Sequence, residues 1–184
     1  MNFGFLLIRI VVGLTMASHG AQKLFGWFGG SGVKATGSMM ESIGFPSGNR
    51  FALLAGLGEF GGGLLLALGL VQPLASAAII AVMLVAIGSL HFEHGFFNTK
   101  GGFEYNLVLC AAALGLALTG PGRYSLDAVM GIHWRGVPGG LFALGVGIIA
   151  AEVPLIIRHR RLQPQGPSRT TGTSVTTQGP AVTP

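Results

Sequence analysis

Five apolar runs, each near the length needed to cross a lipid bilayer, constrain this chain more than any other feature. They cover about residues 3–25, 51–70, 74–90, 105–119 and 137–157. At about 1.5 Å of rise per residue, some twenty helical residues span a hydrocarbon core of about 30 Å. A backbone facing lipid has no water to bond, so it must satisfy its own N–H and C=O groups, and none of the runs alternates as a barrel strand does. The expected fold class is therefore all-α, a polytopic transmembrane helical bundle. The fourth run is the shortest, which implies a locally thinner membrane or partial enclosure by the bundle.

Charged residues make up 9% of the 184 residues, against roughly 25% in a soluble domain. That is too few to cover a water-facing surface. The net charge of +5 does not point to nucleic acid, because the basic residues are dispersed between apolar runs. The one cluster, Arg158, Arg160 and Arg161, directly follows a run and reads as a topological anchor. The partner implied is the lipid bilayer. Cys110 is the single cysteine, which excludes an internal disulfide, a thiol redox pair and a thiolate metal cage. The first run has no basic region before it and no clear small-residue cleavage site, so it reads as a retained span.

Turn chemistry supplies the limits. Asn49 is placed to cap the second helix, Pro73 and Pro138 suit first-turn positions, and Gly120-Pro121-Gly122 ends the fourth. Val33, Met39, Met40 and Ile43 recur at helical spacing among Lys34, Ser38, Glu41 and Ser42, which predicts a short helix in the membrane interface, ended by Gly44. The chain divides into a core over residues 1–127, a loop with an additional span over 128–157, and a polar tail over 158–184. The tail is rich in Pro, Gly, Ser, Thr and Gln and is expected to be disordered, because it has little apolar surface to offset the entropy of ordering.

If all five runs cross, Lys23, Lys34, Arg50, Lys100, Arg158, Arg160, Arg161 and Arg169 share one side, against Arg9, Arg123 and Arg135 on the other. Eight against three makes the first side, with the tail, cytoplasmic. His19, Phe25, Gly29 and Gly30 stand 72 residues before His91, Phe97, Gly101 and Gly102. Such an echo is expected of two helical hairpins of the same orientation.

Polar groups inside the runs carry the functional reading. Glu59 falls near the middle of the second span, where an ionised carboxylate costs several kcal/mol, so it must face protein, water or a partner such as Lys23. It reads as a proton-handling or ligand-binding group, or as a polar clasp between helices. His19 and Lys23 are four residues apart on one helical face and emerge on the same side as His91, Glu104 and Asn106. Together the six form a candidate intramembrane cluster able to hold a polar ligand head, with apolar spans around it for a lipophilic ring or tail. Taken singly, each reads as an ordinary helix-end residue, Lys23 snorkelling to water. His19 and His91 are also at a depth that axial haem ligands share, but no attachment motif accompanies them and haem is not expected. His91 and His94 with Glu93 read as a solvated loop, and no metal site is expected.

Gly58-x-x-x-Gly62 offers a small-residue face for close helix packing, and Ala77-x-x-x-Ala81 and Ala111-x-x-x-Gly115 do likewise. Trp27 and Phe97 suit the headgroup belt. Glu152, before Pro154 and near Arg158, reads as an interfacial or locally paired group.

Four stretches resemble the DoxX family of small bacterial membrane proteins. They are Ser18-His19-Gly20-x-x-Lys23-Leu24-Phe25-Gly26-Trp27-Phe28-Gly29-Gly30, Ala55-Gly56-Leu57-Gly58-Glu59-Phe60-Gly61-Gly62, Gly101-Gly102-Phe103-Glu104-Tyr105-Asn106, and Leu118-Thr119-Gly120-Pro121-Gly122-Arg123-Tyr124-Ser125-Leu126-Asp127. The likeness runs in order over residues 3–127. It implies four spans in the cytoplasmic membrane, so the fifth span and the tail depart from the pattern. It marks His19, Lys23, Glu59, Glu104 and Asn106 as motif positions, while His91 joins them on topology. The related DoxD proteins are linked to a thiosulfate:quinone oxidoreductase, and the resemblance therefore implies a quinone-interacting subunit of a membrane redox complex.

Quinone reduction needs electrons as well as protons, and the chain has no dinucleotide fingerprint, iron–sulfur cysteines or thiol pair. A redox partner subunit would supply them. The alternatives are a non-catalytic membrane scaffold, in which Glu59 and the histidines lock helices or dock a subunit, and a small transporter, which at this size would act as a homo-oligomer.

Overall fold

The computed structural model describes residues 2–163 other than 133 and 135. Every long apolar run is a helix: α1 (Asn2–Phe25), α3 (Gly48–Leu68), α4 (Gln72–Ala86), α5 (Glu104–Thr119) and α7 (Val137–Leu162). The expected interfacial helix is α2 (Gly32–Ser42), and a single turn, α6 (Leu126–Val129), follows α5. No strand occurs among the described residues. Beyond Ala86, α4 widens into a π-helical turn, Ile87–His91, a local irregularity that often accompanies function. With that extension, four helices are long and apolar enough to cross a membrane, and α5, at 16 residues, is the shorter fifth.

Small residues set the architecture. On α1, Gly13 abuts the backbone of Gly63 and Ala67, while Gly20 abuts Gly56 and Phe60. The two helices therefore run antiparallel at near-contact distance, with their glycines seven residues apart on both partners. Along α4, Pro73 neighbours Gly139, Ile80 neighbours Gly147 and Gly88 neighbours Leu155, so α4 and α7 run parallel. Side chains of α3, α4, α5 and α7 fill the centre around Leu66, Ile79, Ile80, Leu116 and Ala143. Leu7, Val11, Leu57, Val108 and Ile149 stay exposed. An apolar exterior around buried polar groups suits lipid as solvent and makes the chain a multi-pass membrane protein.

The crossings alternate, giving the bundle two distinct ends. At one, the site end, lie the loop after α1, α2, the 92–103 loop and the close of α7. Leu162 lies against Gly44 there, and Arg158 donates to the carbonyl oxygens of Ile43 at 2.7 Å and Ser89 at 3.3 Å. At the other, the hub end, the 69–71 and 120–132 connections enclose Arg9.

Several expectations change. Asn49 does not cap α3: the helix begins one residue earlier, and Glu41 of α2 accepts the Gly48 N–H at 2.9 Å. Pro73, Pro138 and Gly120 stand at helix ends as expected, and Gly44 (φ 101°) turns the chain directly after α2. Of the expected disordered tail, residues 158–162 continue α7, whose cationic last turn caps backbone carbonyls of the core. The remainder, 164–184 with Arg169, lies outside the described residues, as does Arg135. A Cβ on Gly115 would meet open space, so Ala111-x-x-x-Gly115 is not a helix crossing. Finally, Arg9 is 1% exposed and belongs to the interior, so it drops out of the count of flanking charges. In the echo, Gly29 and Gly101 share a positive φ, 77° and 82°, and α1 and α4 run in the same direction.

Candidate functional site

The site is built where α1, α3, α4 and α5 meet near the site end. Glu59 faces inward because α3 turns its neighbouring glycines, Gly56 and Gly63, onto α1, and the carboxylate is left 4% exposed. One turn beyond Gly20, Lys23 extends from α1 and its Nζ donates to Glu59 Oε2 at 2.5 Å. It is the one salt bridge among the described residues, and it answers the cost of an isolated carboxylate in oil with a charge-assisted hydrogen bond. His19 stands one turn before Lys23 on the same face of α1.

A cavity of about 290 Å³ opens beside this pair. His19, Lys23, Glu59, His91, Tyr105 and Asn106 line it together. His91 comes from the π-helical turn of α4, and its Nδ1–H donates to the Gly101 carbonyl at 2.7 Å. In a neutral imidazole that bond leaves Nε2 as the ring nitrogen able to take a proton. Asn106 is buried, with Nδ2 3.4 Å from the Met83 sulfur. So weak a partner leaves most of the amide's bonding capacity free. The Tyr105 and His19 rings meet edge to face at 6.4 Å. Met16, Met39, Met40 and Met83 complete the walls, flexible and polarizable surfaces that fit planar apolar groups.

Five of the six candidate cluster residues thus line one cavity. Glu104 does not: its carboxylate turns toward the 92–103 loop, where Oε2 accepts the Asn98 N–H at 3.0 Å. Gly58 and Gly62 face Val82 and Ala78 of α4, so that motif packs α3 on α4. Trp27 and Phe97 are exposed and line neither cavity wall. His94 Nδ1–H donates to the Leu90 carbonyl at 2.9 Å. Glu152 is exposed on α7. No group of three His, Cys, Asp or Glu side chains among the described residues is close enough to hold a metal ion.

Sequence reasoning passed over a second polar centre, at the hub end. The Arg9 guanidinium donates to the Ala67 carbonyl at 3.3 Å, to Tyr124 at 2.6 Å and to Pro121. Asp127 accepts the N–H groups of Val71 at 2.8 Å and Gln72 at 3.0 Å, capping α4. It also holds Val71 at φ 46°, a conformation costly for a β-branched residue. The 118–127 motif is thereby explained as a fastener: its loop carbonyls take Arg9 and its carboxylate starts α4. A signal existed, since an arginine seven residues into an apolar run is as anomalous as Glu59.

Comparison with known proteins gives the family. The DoxX family model matches residues 4–92, which contain α1 to α4 and with them His19, Lys23, Glu59 and His91. The chain is 31% identical over 136 residues to the "Inner membrane protein YqjF" of Escherichia coli, covering 72% of this chain and 96% of that one. It is 31% identical over 130 residues to the "Uncharacterized membrane protein Rv3486" of Mycobacterium tuberculosis, covering 65% and 77%. It is 28% identical over 126 residues to the "Putative oxidoreductase CatD" of Bacillus subtilis, covering 68% and 86%. No solved structure matches. An all-helical multi-pass bundle, the family match over residues 4–92 and a relative aligned over nearly its whole length lead to one assignment: the chain belongs to the DoxX family.

Proposed function

We propose that the cavity between α1, α3, α4 and α5 receives the headgroup of a membrane quinone, and that the chain serves as the quinone-interacting subunit of a redox complex. The observation that carries this reading is the Lys23–Glu59 pair, 2.5 Å long, set in the wall of a cavity shared with His19, His91 and Asn106. Lys23 and the Asn106 amide are donors suited to a quinone carbonyl oxygen. Glu59 and the histidines can exchange the two protons that reduction to the quinol takes up. The electrons come from a partner protein, because the sequence has no dinucleotide fingerprint, iron–sulfur cysteines or thiol pair to carry them. The word "oxidoreductase" in the name of the Bacillus relative points the same way. The site end faces the cytoplasm in this reading: among the described residues Lys34, Arg50, Lys100, Arg158, Arg160 and Arg161 lie there, against Arg123 at the hub end once Arg9 is set aside.

The test is titration of the purified protein in lipid nanodiscs with a tailless benzoquinone, read by fluorescence of Trp27 and Trp134. Saturable quenching should vanish in Glu59→Gln and His19→Ala while far-UV circular dichroism stays unchanged. A wild-type protein that shows no saturable quenching sinks the reading. The pair also ties α1 to α3, which favours a scaffold as the second reading. That reading predicts that the same variants lose co-purifying subunits without any quinone effect.

A further inference from the structure

A second cavity, about 400 Å³ and lined by apolar side chains, lies between α2, α3, α4 and α7. Its walls include Phe51, Leu54, Ala81, Ala150, Val153 and Ile157. It adjoins the polar cavity, since Met40, Ala55, Val82 and Val85 line both. Leu54 and Val153, on α3 and α7, are 64% and 57% exposed, so this cleft opens sideways onto the face where acyl chains lie. An apolar arm open to lipid therefore abuts the head chamber that holds Lys23, Glu59 and His91, with four shared side chains between them.

We infer that this cleft is the seat of the hydrocarbon tail of the ligand whose head occupies the polar cavity. The ligand class is a membrane-resident amphiphile with one long apolar chain, which enters laterally between α3 and α7 rather than from water. The inference rests on reading the polar cavity as a head-group site. Its physical logic concerns access more than attraction. Lipid tails are as apolar as the cleft, so a chain gains little by moving from one to the other. What the cleft provides is a path on which the head reaches Lys23 and Glu59 while the tail never meets water or the polar wall. The last span, α7, is essential to this arrangement: its Ala150, Val153, Pro154 and Ile157 form one wall. Arg158 and Arg161 pin that helix to carbonyls of Ile43, Phe45 and Ser89, Ser89 itself lining the head chamber.

Filling the cleft should exclude a tailed ligand and leave a tailless one untouched. Ala81→Phe fills the cleft from α4, and Ala150→Phe fills it from an exposed position on α7 that tolerates a larger side chain should the first variant fold poorly. The probes are a tailless dimethoxy-methyl-benzoquinone, its decyl derivative, and decyl-quinone and decyl-phenol analogues with a diazirine at the chain end. All are applied to the full chain in nanodiscs. The expected results are at least a tenfold loss of decyl-quinone affinity in both variants, less than twofold change for the tailless quinone, and diazirine labelling of Phe51, Leu54, Val153 or Ile157 that the variants abolish. If both quinones bind in a Glu59-dependent manner but cleft variants treat them alike, the inference falls and the proposed function stands. If no quinone binds yet the decyl-phenol labels the cleft and Ala150→Phe removes that label, the tail site stands and the quinone reading falls. Labelling confined to the outer faces of α1 and α5 overturns the inference outright.

Discussion

Substitution of Gly20 by alanine adds one methyl group at the crossing that holds the head chamber together. An ideal Cβ there stands 2.3 Å from the Phe60 nitrogen, 2.7 Å from the Gly56 oxygen and 2.7 Å from the Phe60 Cα. All three are backbone atoms, which cannot swing aside as a side chain would. Ordinary contact between such atoms is about 3.5 Å, so α1 and α3 must part by about 1 Å at this level. The strain falls one turn from Lys23 and one residue from Glu59, so it stretches the ion pair as well as the packing. Overpacking of this kind costs about 1–3 kcal/mol. Gly115→Ala is the matched control: it adds the same methyl to another apolar helix at a position with nothing within 4 Å. It should be neutral, or more stable by about 0.5–1 kcal/mol through helix propensity. The assay is reversible unfolding from mixed micelles by a denaturing detergent, followed by far-UV circular dichroism. Equal stability of the two variants would refute the close antiparallel contact of α1 with α3.

Other perturbations probe the polar centres with the same assay. Arg9→Met leaves the carbonyls of Ala67, Pro121 and Tyr124 without their donor and should cost about 1–3 kcal/mol for each one left unsatisfied; Arg9→Lys should rescue little, since an ammonium cannot reproduce the guanidinium fork. Asp127→Ala removes the acceptor for the Val71 and Gln72 N–H groups and should cost about 1–2 kcal/mol. In a double-mutant cycle, Lys23→Met and Glu59→Gln should each destabilise strongly, and the double variant should recover at least about 1 kcal/mol relative to their sum; strict additivity would mean that the two side chains do not pair.

The helices were legible because a spanning helix must be apolar over a fixed length, and the runs around Leu7, Leu57, Ile79 and Ile148 announce this without tertiary information. The packing was less so. A small-residue motif identifies a face but not the helix that it meets, and Gly58-x-x-x-Gly62 turned out to face α4. The tighter α1–α3 crossing uses glycines spaced by seven, Gly13 with Gly20 and Gly56 with Gly63, a spacing readable in sequence only when both helices are compared. Glu59 stood out as a carboxylate alone in oil, whereas Tyr105 and the four methionines of the cavity wall are unremarkable in an apolar run. Glu104 was misjudged because helix-end position fixes which end a residue occupies but not where its side chain turns, and the free Asn98 N–H takes it. Asn49 failed as a cap for a related reason: Glu41, eight residues earlier on another helix, reaches the same backbone end.

In the proposed site, α1, α3 and α4 present Lys23, Glu59 and His91 to one shared ligand head. Photolabelling with a tailless azido-benzoquinone, followed by peptide mapping, tests it most directly. Adducts should fall within residues 16–23 of α1 and 83–91 of α4, and excess unlabelled benzoquinone should suppress both together. Adducts scattered over the exposed faces of α5 and α7, or insensitive to that competition, would contradict it.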